Sequence, residues 1–326
     1  MNIQSTMELA RTEVSVKGRT VKVPSADIGG RKIVVTGRMP RVARIHDEEW
    51  IDAPPIENVE AFLVSIKDAG IEADIFTFSE PLGTSVSFDS SYHSEQYDLA
   101  VVPLTTFTAW WESLPQESRK NTRKAEKRGV TAKLAAFDDD FIRGIKALYD
   151  ETPIRQGRRF WHYGKELDVV RRENATYLDR CDFVATYFDG KLIGFIKIVY
   201  VGTTARIMQI LAMNAHQDKK TTNLLLTKAV ETCCARGMKH FVYGQYYYGN
   251  KGHTPITEFK RRNGFERVLL RRFYAPLNLK GRVALELGLH LGFRHFIPTQ
   301  VSNFLLDLRS RLYRSRTSST PASETS

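Results

Sequence analysis

Four stretches of this 326-residue chain concentrate the side chains that do chemistry. The first is RKNTRKAEKRG, residues 119–129, in which residues 119–128 hold six basic side chains and one acid, Glu126. At helical spacing Arg119, Arg123 and Lys127 form one row and Lys120, Lys124 and Arg128 the next, with Ala125 on the other side. A merely solvated face mixes both signs, so this face predicts an anion nearby. The second is PIRQGRRFWHYGKE, residues 153–166. Its Arg155, Arg158, Arg159, Trp161 and His162 suit an anionic or sugar-bearing substrate, because guanidinium forks bind carboxylate or phosphate bidentately. A structural loop held by cation–π contacts is the equal alternative. The third is Gln245 with Tyr246, Tyr247 and Tyr248, directly after the strand-like run HFVYG. Tyrosine titrates near 10, so these phenols serve better as acids or hydrogen-bond donors than as bases. The Gln245 amide can orient a polar substrate group. The fourth is EFKRRNGFE, residues 258–266, which contains Lys260.

Other reactive side chains are isolated. His216 and His253 stand alone in loops, and no Ser-His-Asp or Cys-His set is persuasive. Cys181, Cys233 and Cys234 lack metal-ligand spacing, so no metal is expected. An odd cysteine count without a framework points to a reducing compartment.

The elements that must position these groups read as alternating strands and helices. KIVVTG and RVARI read as strands, and residues 56–70 as a helix with Ile56, Val59, Phe62, Leu63 and Ile66 on one face. Strands follow at residues 71–78 and 97–104, then the basic helix ended by Gly129. Residues 182–202 read as a hairpin around Asp189-Gly190, the strongest turn signal in the chain. A strand at 204–214, a long helix at 220–237, a buried strand at 239–245 and a helix–Gly–strand unit at 256–277 complete the body. Residues 1–30 are weakly patterned, 279–316 read as a helical extension, and 317–326 as a disordered tail.

This order over residues 182–277 resembles the core of the GNAT acyltransferase superfamily, in which an acyl thioester lies where two parallel strands splay apart. The run W-x2-LPQESRKNTRKAEKRGV and EFKRRNGFE are similar to signatures of its FemAB-like branch, in which paired GNAT-like units make one protein. The resemblance implies an α/β (α+β) fold: a mixed, mostly antiparallel sheet flanked by helices. It implies a degenerate first unit over 31–110 and an acyltransferase unit over 111–278. It also places the donor's phosphates at the start of the long helix, on Gln217, Lys219, Lys220, Thr222 and Asn223. The expected catalytic set is Lys260, Tyr246, Tyr247 and Gln245. The expected substrate-binding set is Arg119, Arg123, Arg155, Arg158, Trp161, His162 and Tyr248. One departure stands out. GNAT enzymes put glycines in the phosphate loop, where Lys220 and Thr222 stand here, and their side chains should crowd a close-lying pyrophosphate.

The implied activity is direct transfer of an acyl group from acyl-CoA or an acyl carrier protein to an amine on a small molecule, sugar or cell-envelope precursor. Two alternatives remain: transfer from aminoacyl-tRNA to a peptide acceptor, and a non-catalytic binder of nucleic acid or anionic membrane. The net charge of +11 and pI of about 9.5 favour an acidic partner without choosing among them. No signal peptide or apolar span is legible, so a cytoplasmic location is expected. Residues 301–316 form a basic amphipathic pattern that suits packing against the body first and the inner membrane face second.

Overall fold

The computed structural model describes residues 9–16, 19–83, 91–155, 157–248 and 254–291. His253 and the basic 301–316 pattern therefore lie outside the described residues. The chain divides into two compact units, one of residues 1–97 with 269–298, the other of 98–268 with 299–326.

The first unit is built on β1 (Ala10–Val16), β2 (Arg19–Ile28), β3 (Arg31–Thr36), β4 (Val42–Ile45) and β5 (Ile75–Ser79), with most of β14 (Glu266–Pro276) beside β5. It also holds the start of β6 (His93–Pro103). Neighbours pair antiparallel except β4 and β5, which run parallel. That pairing requires a crossover, and α1 (Val59–Asp68) supplies it. Asn58 caps α1 by accepting the Ala61 N–H at 2.9 Å. The predicted stripe Val59, Phe62, Leu63 and Ile66 is buried with Phe76, Phe78 and Phe273. Within the weakly patterned first 30 residues the run RTVKV, which reads as a short strand, falls in β2. β1 and β2 pair with Val14 opposite Val21. Their charged alternate residues hide that pattern from a composition-based reading.

In the second unit the sheet order is β6, β13 (His240–Val242), β12 (Thr204–Ala212), β11 (Lys191–Val201), β10 (Cys181–Phe188), β7 (Thr131–Ala135). Only β12 and β13 pair in parallel, joined by α6 (Thr221–Ala235). A two-stranded ribbon, β8 (Ile154–Arg155) and β9 (Arg158–Arg159), stands apart.

Alternation along the strands separates two cores. Phe183 and Phe195 face α4 (Asp139–Tyr149) and α5 (Leu167–Asn174). Val184, Ile196 and Ile198 face α6 through Leu225, Leu226 and Val230. Each such fully buried side chain contributes about 1.5–3 kcal/mol. The remaining helices are α2 (Phe107–Ser113), α3 (Gln116–Lys127), α7 (Pro255–Arg262) and α8 (Leu279–Glu286). The whole is the expected mixed, mostly antiparallel sheet flanked by helices. Among the described residues no helix is long and apolar enough to cross a membrane.

Candidate active site

β12 and β13 pair only through Thr204–Arg206 and His240–Val242. β13 stops there, while β12 continues to Ala212. A register shift at Lys197/Ile198 leaves Met208 as an extra residue and bends β12. The result is a notch between two parallel strands, occupied by a cavity of about 540 Å³. Its floor is the end of β12, from Ile210 to Asn214. Its far walls are Tyr243, just past β13, and Phe259 on α7. Gln217, Lys220, Thr221, Thr222 and Asn223 close it at the start of α6.

Lys220 decides the shape of that end. Its backbone is left-handed, at φ 59° and ψ 31°, a conformation that favours glycine. The sequence places lysine where the resembling loops have glycine, and the backbone keeps the glycine-like turn. No side chain caps α6. The first-turn N–H groups of a helix lack intrahelical acceptors, and the 15-residue helix adds its dipole there. An anion is therefore favoured at this end of the cavity.

Arg155 supplies a second positive wall. Its Nη2 bonds the Glu151 carboxylate at 2.6 Å, and its Nη1 donates to the Ala212 carbonyl at 3.1 Å. Glu151 in turn accepts the Ala215 N–H at 2.9 Å. Both charged groups are largely buried, with 16% and 14% of their side chains exposed. The Nε of Arg155 is buried without a partner. Among the described residues no acid lines the cavity; Arg155 is paired with Glu151 behind the wall, and Lys220 supplies the positive charge.

Several predicted residues come together here: Gln217, Lys220, Thr222, Asn223 and Arg155 all line the cavity. Others do not. Lys219 turns away, with its ammonium 4.4 Å from the Phe188 ring centroid. Arg119 is half-buried but does not line the cavity, and Arg123 is exposed over Trp111. The basic helix reaches the loop before α6 through Arg128 instead, which bonds Asp218 at 2.9 Å. Arg158 and Trp161 are exposed, and His162 stacks on Tyr149 at 4.2 Å. Burial drives the His162 imidazole down to about 3, and Lys165 adds to the effect, so it is neutral at pH 7.

Lys260 is fully buried rather than part of a solvated basic run. Its ammonium donates to the Gln245 carbonyl and lies over the rings of Tyr243 and Tyr248, 4.6 and 4.4 Å from their centroids. Burial lowers its titration to about 8, and Asp98 partly opposes that shift. It thus stands behind Tyr243 and does not line the cavity. Tyr246 is buried in the core, Tyr247 donates its N–H to Asp98 at 3.3 Å, and Gln245 and Tyr248 are exposed. The tyrosine that reaches the cavity is Tyr243, which the sequence reading passed over. Burial raises its phenol, with Tyr248 adding to the shift, so it keeps its proton.

Sequence reasoning also missed Asn263. It is buried, accepts the Trp110 indole N–H at 3.2 Å and donates to Phe259 O at 2.7 Å. Its Oδ1 accepts from Asn223 Nδ2 at 3.3 Å, joining α7 to the start of α6. Gly264 makes this junction possible. A β-carbon there would lie 2.9 Å from Trp110 Nε1, and its φ is +80°. The Asn-Gly pair in EFKRRNGFE was the available signal.

Splayed parallel strands, a helix N-terminus without a side-chain cap and the intervening notch are the features of a GNAT-type fold. Residues 114–261 match the acetyltransferase (GNAT) domain family. Among solved structures, FemX superposes with a TM-score of 0.55 at 10% identity, covering 85% of this chain and 90% of FemX. The C-terminal domain of a putative lysylphosphatidylglycerol synthetase from Agrobacterium fabrum gives a TM-score of 0.51 at 16% identity, covering 82% of this chain and 88% of that one. L-PGS from Bacillus licheniformis gives 0.51 at 14% identity, covering 83% and 89%. No curated protein sequence matches the chain.

Proposed function

We propose that the chain is an N-acyltransferase that takes its acyl group from a phosphopantetheine thioester, on coenzyme A or a carrier protein, and passes it directly to an amine. The observation that carries this reading is the left-handed Lys220 turn at the open start of α6, facing the notch. Donor phosphate sits at that terminus, with Lys220 as a point charge and Arg155 on the opposite wall. The pantetheine arm follows the edge of β12, whose backbone groups beyond Arg206 are not paired with β13. The amine attacks the thioester carbonyl, the tetrahedral intermediate collapses with cleavage of the C–S bond, the thiolate leaves, and the proton shed by the nitrogen passes to water, which afterwards reprotonates Tyr243. Tyr243, protonated at neutral pH, is placed to give that thiolate its proton. Lys260 holds Tyr243 from behind and is a positioning residue. No covalent enzyme intermediate is needed, because holding both substrates together supplies much of the rate.

The acceptor is an amine on a small molecule, sugar or cell-envelope precursor. A second reading, transfer from aminoacyl-tRNA, draws on the side chains of Lys220 and Thr222 where coenzyme A loops have glycine, and on the exposed cations of α3. Native mass spectrometry of the purified chain separates the two. Retained coenzyme A, or an acylated adduct of it, supports the first; retained tRNA without coenzyme A contradicts it.

A further inference from the structure

The geometry points to a zinc-type divalent cation site in the first unit, formed by His93, Glu95 and His290. Among the described residues these form the one group of three histidine, cysteine or acidic side chains gathered closely enough to share an ion. His93 and Glu95 stand at i and i+2 on β6, so they project from one face of the strand. His290 comes from the 3-10 turn Leu289–Leu291 that follows α8, 195 positions away. The sequence therefore holds no local ligand motif, and its expectation of no metal rested on spacing alone.

Distances fit an ion. His290 Nε2 lies 3.0 Å and His93 Nε2 3.7 Å from Glu95 Oε1, and all three ligand atoms fall within 4.8 Å of one another. A tetrahedral ion with ligands at about 2.0–2.1 Å holds neighbouring ligand atoms about 3.4 Å apart, between the first two values. Small side-chain rotations bring the third pair to that spacing.

The donor set is also chemically apt. Two imidazoles and one carboxylate suit Zn²⁺ better than Mg²⁺ or Ca²⁺, which prefer all-oxygen sites. Three protein ligands leave a fourth position for water. The surroundings brace the ligands. The His290 side chain is 1% exposed, packed against the rings of His93 and Tyr274 at 4.8 and 4.6 Å. The alternative is an ordinary His290–Glu95 hydrogen bond at 3.0 Å. It gives no role to His93, whose nitrogen faces the same carboxylate oxygen. A shared cation accounts for all three, and it ties the turn after α8 to β6.

The full chain, without a histidine tag and stripped with EDTA, is titrated with Zn²⁺ by calorimetry and with Co²⁺ by visible absorption. One equivalent should bind, with tetrahedral Co²⁺ bands and a raised melting temperature. His93→Ala and Glu95→Gln should each weaken binding at least tenfold and abolish the thermal shift. His93 is exposed, so its removal leaves the fold intact, which circular dichroism verifies. A Cys181→Ser, Cys234→Ser variant should bind as the parent does. Absence of binding by the parent, or binding unchanged in His93→Ala and Glu95→Gln, overturns the site.

Discussion

The indole Nε1 of Trp110 donates to the backbone carbonyl of Asn263, 3.2 Å away and 153 positions further along the chain. This bond locks α2 to the end of α7, and Asn263 then reaches Asn223 at the mouth of the cavity. Trp110→Phe keeps most of the ring but leaves a buried carbonyl without its donor. The expected cost is about 1–3 kcal/mol, read by urea unfolding. Gly264→Ala strikes the same junction through a clash and a left-handed backbone, so it should cost at least as much.

Lys220 separates stability from donor binding. A non-glycine residue in the left-handed region costs roughly 1–2 kcal/mol. Lys220→Gly should therefore stabilise the fold, while removing the point charge at the start of α6. Donor KM should rise severalfold in both Lys220→Gly and Lys220→Ala, with kcat little changed, as for a residue that binds ground state and transition state alike. Steady-state kinetics with a saturating amine checks the split.

The Glu151–Arg155 pair forms a wall of the cavity. Glu151→Ala leaves the Arg155 guanidinium largely buried without its counter-charge, and also frees the Ala215 N–H. Removing one partner of a buried pair costs about 3–5 kcal/mol, reduced here by the remaining exposure. Melting temperature should fall, and donor affinity with it.

Lys260 and Lys197 both titrate near 8 instead of 10.5, because burial penalises the ammonium. The folded-state values are lowered, so between about 8 and 10.5 the unfolded chain binds more protons than the folded one. Stability contributed through each lysine therefore rises with pH across that window, by at most ~3 kcal/mol, and is lowest below pH 8. Lys260→Met should flatten the slope of stability against pH above 8. An unchanged slope would show that this ammonium is solvated.

Much of the second unit was legible because its signals were local. The Asp189-Gly190 turn and the apolar alternation of β10 and β11 specify a hairpin by themselves. The buried face of α3 was not legible. Beyond Ala125, which the spacing already set opposite the cations, it consists of Ser118 and Thr122, small residues without an apolar stripe. Its hydroxyls bond Arg262 O and Thr227 Oγ1 at 2.6 and 3.1 Å. Charge density drew attention to Arg119 and Arg123, whereas Arg128 makes the contact with the loop before α6. Likewise Tyr246–Tyr248 outweighed Tyr243 as a cluster, although strand geometry selects Tyr243 for the cavity. A tyrosine's reach into a notch depends on where β13 ends, and three paired residues are too few to mark that end in sequence.

The central claim is that the notch between β12 and β13 holds a phosphopantetheine donor. Calorimetric titration of coenzyme A into the parent chain and into Ala212→Trp tests it most directly, since an indole at 212 fills the floor of the cavity. Saturable one-to-one binding to the parent is expected, lost in Ala212→Trp while the melting temperature changes little. Absence of binding to the parent, or equal binding to a folded Ala212→Trp, would contradict it.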